Sequence, residues 1–597
     1  MAIKKGGYEI ADVYPGGFNS LDNNSSEFYT GYRTNAGKIG LSTDPRTANV
    51  LKEFSDKIGP GEKTIELSII TPEVMDTIPK QHLKEIHRLS KLTGVDVTIH
   101  GPLAEASGLS REGFTEGNRE VAERQMLRSV DQAHEINPDG NSTVTFHSAS
   151  MIPATEYRKL SEKEGGGEEI EKLYIIDRAT GQINVTKKDE RFFPHLNEKG
   201  EPIKMKHSAE EQLNIMNSSQ WDDSLTQLIT PIERTNKMIE ETYPNAAHVL
   251  GKLSQGVKIG DLTQTELAVY DRYKNAEDSL GDIQKHVSSL YDKAYKYASS
   301  DAEKRELEKF AQTFTEITEK NPGDIIAFSR GIQKLRSDLT KVKPKLFEKL
   351  NDFAIKESVK TFGNVAYEAY QKYKDKAPII SIENPPAPMN AFSRGEDLKK
   401  MVEDSRKQFV DRATADGKDK KWAEKEAEKL IGVTWDVGHI NQLRRFGFTK
   451  EDVIKETKHV APYLKHVHLS DNFGVENTEL PMGMGNVPLK EMMDQLGERG
   501  KTVKKIVEAG NWWQHFQTNP MRFSYESVGS PIYSMKMGPY WNQLGGGSEA
   551  GYFGGYGPTL PQINYETFGT GFSQLPSELG GSRPGGRGAR MGGSPLE

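Results

Sequence analysis

The sequence predicts a (β/α)8 barrel interrupted by a long, mainly helical insertion, and three observations predict it. Short apolar runs alternate with longer amphipathic ones over two separate stretches of the chain. The short runs number eight, four in each stretch. Six of the eight end in acidic or imidazole side chains, and the C-terminal ends of strands are where such a barrel carries its reactive groups.

Taken in order, residues 1–36 form an N-terminal extension, and the first half of the barrel spans 37–150. Its strand candidates are KIGLST, TIELSII, DVTIHGP and STVTFHSAS. Residues 73–94 and 115–136 between them place apolar side chains at helical spacing, for example Val121, Met126, Val130 and Ala133. Residues 151–375 change character. They open on the charged, Gly-rich EKEGGGEE and a hairpin signal, YIIDRATGQINV, then run as long polar helices such as AEDSLGDIQKHVSSLYDKAYKYA. Their charge runs read as solvated helix faces with local pairing, such as Lys304 with Glu308. Because this insertion follows the fourth strand, it springs from the reactive mouth and is expected to serve as a lid or as a surface for a protein partner.

The second half of the barrel, 376–533, brings APIISIENPP, GVTWDVGH, LKHVHLSDN and VKKIVEAGN, separated by helices near 395–430, 449–462 and 488–499. The remainder, 534–597, is rich in Gly and ends GGSRPGGRGARMGGSPLE. Such a composition cannot bury enough apolar surface to offset chain entropy, so a disordered tail is expected.

Composition narrows the function classes. At 597 residues the chain exceeds an ordinary single domain, as a barrel with an insertion requires. It has no cysteine, which excludes disulfides and thiolate metal sites, so a bound metal must be held by His, Asp and Glu. A net charge of -7 gives no general pull toward nucleic acid. No run has the length of apolar residues that crosses a bilayer, and MAIKKGGYEI lacks the apolar core of a signal peptide, so a cytoplasmic protein with no membrane partner is expected.

Read in order, the strand ends give His100, His147, Glu383, Asp436 with His439, His468 with Asp471, and Glu508. In a closed barrel these converge on one mouth. Several carboxylates and imidazoles in one half-buried pocket are costly without a compensating positive charge, and a divalent metal supplies it. Carboxylate and imidazole donors suit Zn, Mn, Fe or Co better than Mg. His466 shares a face with His468 but lies two residues earlier, so it is expected to be structural, one layer deeper. Asp471 is expected to cap or orient its loop.

The segments IHGP, FHSAS, IENPP, WDVGHIN, HVHLSDN, ELPMGMGNVPL and IVEAGN resemble the xylose isomerase-like TIM-barrel superfamily, which includes endonuclease IV (the AP endonuclease family 2) and the sugar isomerases and epimerases. The resemblance covers Gly37 to His147 and Ala377 to Tyr533. It implies a metal held by Glu383, Asp436, His468 and Glu508. The endonuclease IV branch implies a second metal that shares Glu383 and adds His100 and His147. Its third metal uses the histidine of the D-x-x-H segment, here His439, and an Asp-x-His before a Gly-x-Gly turn. This chain instead has Asn477, Thr478 and Glu479 ahead of LPMGMG. Glu479 still offers a metal a carboxylate, whereas Asn477 is a weaker, neutral donor. An aromatic residue used by that branch to wedge DNA open is here Leu103.

Two chemistries fit these residues, with one to three Zn or Mn ions as cofactor. The preferred one is a sugar or sugar phosphate isomerase or epimerase, in which one metal polarises a carbonyl while Glu383 and Glu508 exchange a carbon-bound proton and His439 binds a substrate oxygen. The alternative is an endonuclease IV-like phosphodiesterase acting on abasic DNA, with the metals activating water. A third reading is an inactive barrel that serves as a binding scaffold.

Overall fold

Eight parallel strands close into a barrel in the computed structural model, which describes residues 30, 32, 34, 38–58, 63–160, 166–196, 202–320, 323–387, 390–510, 512 and 520–528. The Gly-rich tail and most of the N-terminal extension lie outside the described residues. The strands are β1 Ile39–Ser42, β2 Thr64–Ser68, β3 Asp96–His100, β4 Thr143–His147, β5 Ile379–Glu383, β6 Ile431–Asp436, β7 Leu464–Leu469 and β8 Lys504–Val507. Each pairs in parallel with its sequence neighbours, and β8 closes the ring on β1 through Ile39, Gly40 and Leu41 opposite Lys505, Ile506 and Val507. Closure is tight at that seam. A Cβ on Gly40 would lie 2.4 Å from the Thr64 carbonyl oxygen and 2.8 Å from Ile506, so only glycine lets β1 sit between its two neighbours.

The strands alternate, and the two sides of the alternation face different surroundings. Outward residues such as Val97, Ile99, Phe146, Ile382, Val433, Trp435, Val467 and Leu469 are buried beneath the helical layer. Burying each such side chain contributes about 1.5–3 kcal/mol. The lumen side is polar well below the mouth. Thr145 Oγ1 and Thr434 Oγ1, on strands that are not neighbours, meet at 3.0 Å, and Thr434 Oγ1 donates to Ser381 Oγ at 2.7 Å. Glu66 of β2 and His466 of β7 lie 3.3 Å apart, a contact that non-adjacent strands make only through the lumen. Asp436 is therefore not an abrupt change at the end of GVTWD. Thr434, two residues earlier, already faces the polar interior.

The chain divides into two compact units, the barrel and Glu171–Leu350. The insertion is thus narrower than 151–375. The helix Leu350–Tyr373 serves as the crossover between β4 and β5: Phe362, Val365, Ala366 and Tyr367 on it are buried, Thr361 meets Arg119 at 3.1 Å, and Tyr367 packs edge-on against Phe409 at 5.3 Å. The insertion unit carries a hairpin in which Lys172–Ile176 pair with Ile183–Lys187, where YIIDRATGQINV signals one, followed by five long helices between Ala209 and Leu339. The longest, Gln264–Lys296, starts at a capping box of Thr263 and Glu266 and buries Tyr273, Ala276, Leu280, Ile283, Val287, Leu290 and Ala294 on one stripe. Among the described residues, no helix is long and apolar enough to cross a membrane.

Candidate metal centre

The C-terminal ends of β3 to β8 bring His100, His147, Glu383, Asp436, His468 and Glu508 to one place. Ligand atoms of Glu383, Asp436, His468 and Glu508 all lie within 4.8 Å of one another, as do those of His100, His147 and Glu383, and those of His100, His468 and Glu508. Glu383 is the hub. Its Oε2 lies 3.1 Å from His100 Nε2 and 3.4 Å from His147 Nε2, while its Oε1 lies 2.8 Å from His468 Nδ1. His468 Nδ1 also faces Glu508 Oε1 at 3.3 Å. Glu383, Asp436 and His468 are fully buried, whereas the side chains of His147 and Glu508 keep 16% and 17% exposure and so mark the solvent side of the cluster.

Local hydrogen bonding explains how GVTWDVGHIN builds its part. Asp436 ends β6 and caps the short helix Val437–Asn441, accepting the His439 backbone N–H at 2.7 Å, with the Ser470 hydroxyl at 3.1 Å. Asn384, next to Glu383, clamps the same residue: its Oδ1 accepts the Asp436 N–H at 2.8 Å and its Nδ2 donates to the Asp436 carbonyl at 2.9 Å. The Asn384 carbonyl lies 2.8 Å from His439 Nδ1 and requires the proton there, which leaves Nε2 as an acceptor. Asp471 orients its loop as expected. Its carboxylate accepts backbone N–H groups of Asn472, Gly483 and Val487.

The electrostatics are those of an overcrowded anionic pocket. Burial, reinforced by Glu508 and Glu383 and opposed by His439, pushes the Asp436 carboxyl up to about 6. Burial works against ionisation of His100, yet Glu383 lifts it to about 9. His147 stays neutral, lowered to about 3 by burial. Glu383 is held well below the usual carboxylate range: burial opposes this, and His468 and His100 override it. Three carboxylates and an imidazole in a water-poor site form a donor set that fits a divalent cation, which would replace protons as the compensating charge.

The third position differs. Asn477 Nδ2 lies 3.5 Å from His439 Nε2 and donates to Glu479 Oε1 at 3.1 Å, while Gln442 Nε2 donates to Asn477 Oδ1 at 3.3 Å. An amide N–H meets the free nitrogen of His439. Glu479, held at a φ of 46°, belongs to none of the ligand groups found among the described residues. Leu103 is 42% exposed.

The strand-end reading missed Glu66. It is fully buried on β2 and forms a further ligand-type group with His466 and His468, again within 4.8 Å. The signal that finds it is a polar residue two positions before the strand end, the register shared by Thr98, Thr145, Ser381 and Thr434; His466 pairs with Thr434 at the same level on β7, which runs one residue further.

Residues 419–519 match the family model described as xylose isomerase-like TIM barrel. Similar solved structures include a D-tagatose 3-epimerase-like protein (11% identity, TM-score 0.35, covering 82% of this chain and 99% of that one). A 3-keto-D-glucoside 4-epimerase from E. coli shows 10% identity and a TM-score of 0.34, covering 82% and 97%. A D-psicose 3-epimerase in the presence of D-fructose shows 10% and 0.36, covering 83% and 98%. No curated protein matches the chain.

Proposed function

Taking a xylose isomerase-like TIM barrel as the premise, we propose that this chain is a cation-dependent isomerase or epimerase of a sugar or sugar phosphate. The observation that carries the reading is the four-residue centre of Glu383, Asp436, His468 and Glu508, whose two glutamates come from β5 and β8 with β6 and β7 between them. A divalent cation in that centre, Zn or Mn, would supply polarisation of a substrate carbonyl and its adjacent hydroxyl. Glu508, the more exposed of the pair, would take a proton from carbon, and Glu383, ionised and 3.1 Å from the His100 ring that carries a proton, would pass that proton back to carbon. His439, with its Nδ1 proton directed to Asn384, would take a substrate hydroxyl at Nε2 in place of the Asn477 amide that faces it at 3.5 Å.

A second reading has one observation in its favour. The group of His100, His147 and Glu383 is the arrangement that a second cation of an endonuclease IV-like phosphodiesterase would use. Against it stands the Asn477 amide facing His439.

The experiment combines elemental analysis of the purified chain with two assays: uptake of solvent deuterium into a panel of ketoses and their phosphates, and nicking of abasic duplex DNA. Deuterium uptake that Glu508→Gln and Glu383→Gln each lower by at least about 10²-fold is expected for general acid–base roles. Nicking without uptake, or a chain that holds no cation, overturns the proposal.

A further inference from the structure

Beneath the centre lies a second layer of lumen-facing side chains, and one carboxylate in it touches the centre. Most of that layer is small hydroxyls that satisfy one another, as Thr145, Thr434 and Ser381 do. Glu66 is different. It is an ionisable group buried without any exposure, in an interior where nothing about closing the barrel calls for a charge. Its Oε2 accepts from the Thr98 hydroxyl at 3.2 Å and lies 3.3 Å from His466 Nε2. Its Oε1 lies 3.1 Å from His468 Nε2. The opposite nitrogen of the same ring, His468 Nδ1, faces Glu383 at 2.8 Å and Glu508 at 3.3 Å. One imidazole thus bridges the inner carboxylate and the mouth.

A neutral imidazole has one N–H and one lone pair. If Nδ1 is to donate to a cation among Glu383, Asp436 and Glu508, the proton must sit on Nε2, where Glu66 is the group positioned to receive it. A separate cation held by Glu66, His466 and His468 would demand both ring nitrogens of His468 as donors, which requires an imidazolate. The shared ring therefore favours a proton over a second ion.

We propose that Glu66 is a positioning residue: it fixes His468 as the Nε2–H tautomer, aims Nδ1 into the centre and strengthens it as a donor, with His466 bracing Glu66 from the far side. This rests on reading Glu383, Asp436, His468 and Glu508 as a cation centre. Carboxylates behind ligand histidines typically set affinity by 10–100-fold, and the ring orientation with it.

The test titrates Mn²⁺ and Zn²⁺ into chelator-stripped full-length chain, as wild type, Glu66→Gln and His466→Gln. Urea unfolding verifies that each is folded, and ¹⁵N imidazole spectra report the His468 tautomer. Glu66→Gln is expected to raise Kd by about 10–100-fold and to lose the pure Nε2–H signature, with His466→Gln changing Kd by less than about threefold. Unchanged affinity in Glu66→Gln, beside a wild type that binds, overturns this proposal alone. A wild type that binds no cation overturns the centre and this proposal together. Equal losses in both variants would mean general disturbance of a packed layer, and one bound equivalent missing from both would mean an inner cation site; either overturns it.

Discussion

Replacing Asp436 by Asn should have opposite effects on stability with and without a cation. Asn keeps the shape and the oxygen that accepts the His439 N–H, so the change is chiefly one of charge. In chelator-treated protein the carboxyl is raised from its ordinary 3.8 to about 6, first by burial and then by Glu508 and Glu383. Because the folded value lies above the unfolded one, the folded state loses stability as pH rises from 3.8 through 6, and the whole loss is present at pH 7. At 1.36 kcal/mol per pKa unit this is about 3 kcal/mol, which Asp436→Asn recovers at pH 7 and not at pH 4. With a cation at 100 times Kd the wild type gains about 2.7 kcal/mol, and a variant binding about tenfold more weakly gains only about 1.4. Urea unfolding at pH 7 and pH 4, with chelator and with Mn²⁺ or Zn²⁺, measures all the quantities. A chelator-treated variant less stable than wild type at pH 7, or equal stabilisation of both by cation, would refute the reasoning.

Two further outcomes follow from packing and burial. In Gly438→Ala the new Cβ would sit 2.2 Å from Ser470 Oγ and 2.7 Å from the Ser470 carbonyl oxygen, so the turn after β6 must shift; a loss of about 1–3 kcal/mol in urea unfolding is expected, and a loss under about 0.5 would contradict it. Lys505 is buried with its ammonium on the Val503 carbonyl, and burial, with Lys38 adding to it, lowers its pKa from 10.5 to about 8. The charged form therefore penalises the fold below pH 8, and Lys505→Met should stabilise by about 3 kcal/mol at pH 7, an advantage that fades between pH 8 and 10.5. A pH-independent difference would contradict it.

The barrel was legible because period-two alternation and strand-end polarity coincide in DVTIH, TVTFH and IGVTWD. Six of the converging side chains could be named by asking what stands last on each strand. Glu66 escaped that question because β2 closes on Ser68 and TIELSII runs on into Ile69 and Ile70, so no acid or imidazole stands at the strand end and the informative residue is internal. His466 was placed one layer deeper from its spacing alone, but its partner comes from a distant strand and no local pattern announces it. The pairing of Asn477 with Glu479 and His439 depends on how the loop after β7 folds, including the positive φ of Glu479, and spacing does not encode that. The insertion boundary was misjudged at both ends. Leu350–Tyr373 is polar enough to read as more insertion, yet it buries the stripe that covers the barrel.

The placement of the insertion also bears on how the ring comes together. Thr143 on β4 pairs with Ile379 on β5, so two adjacent staves are separated by on the order of 230 residues of chain, against roughly 30 between β2 and β3. That is nearly three doublings of loop length, or about 2 kcal/mol of additional closure entropy at that one seam. A segment that collapses early into its own unit shortens the effective tether. Assembly is then expected to be hierarchical: Glu171–Leu350 condenses first, and the two arcs of the ring zip shut across β4 and β5 last.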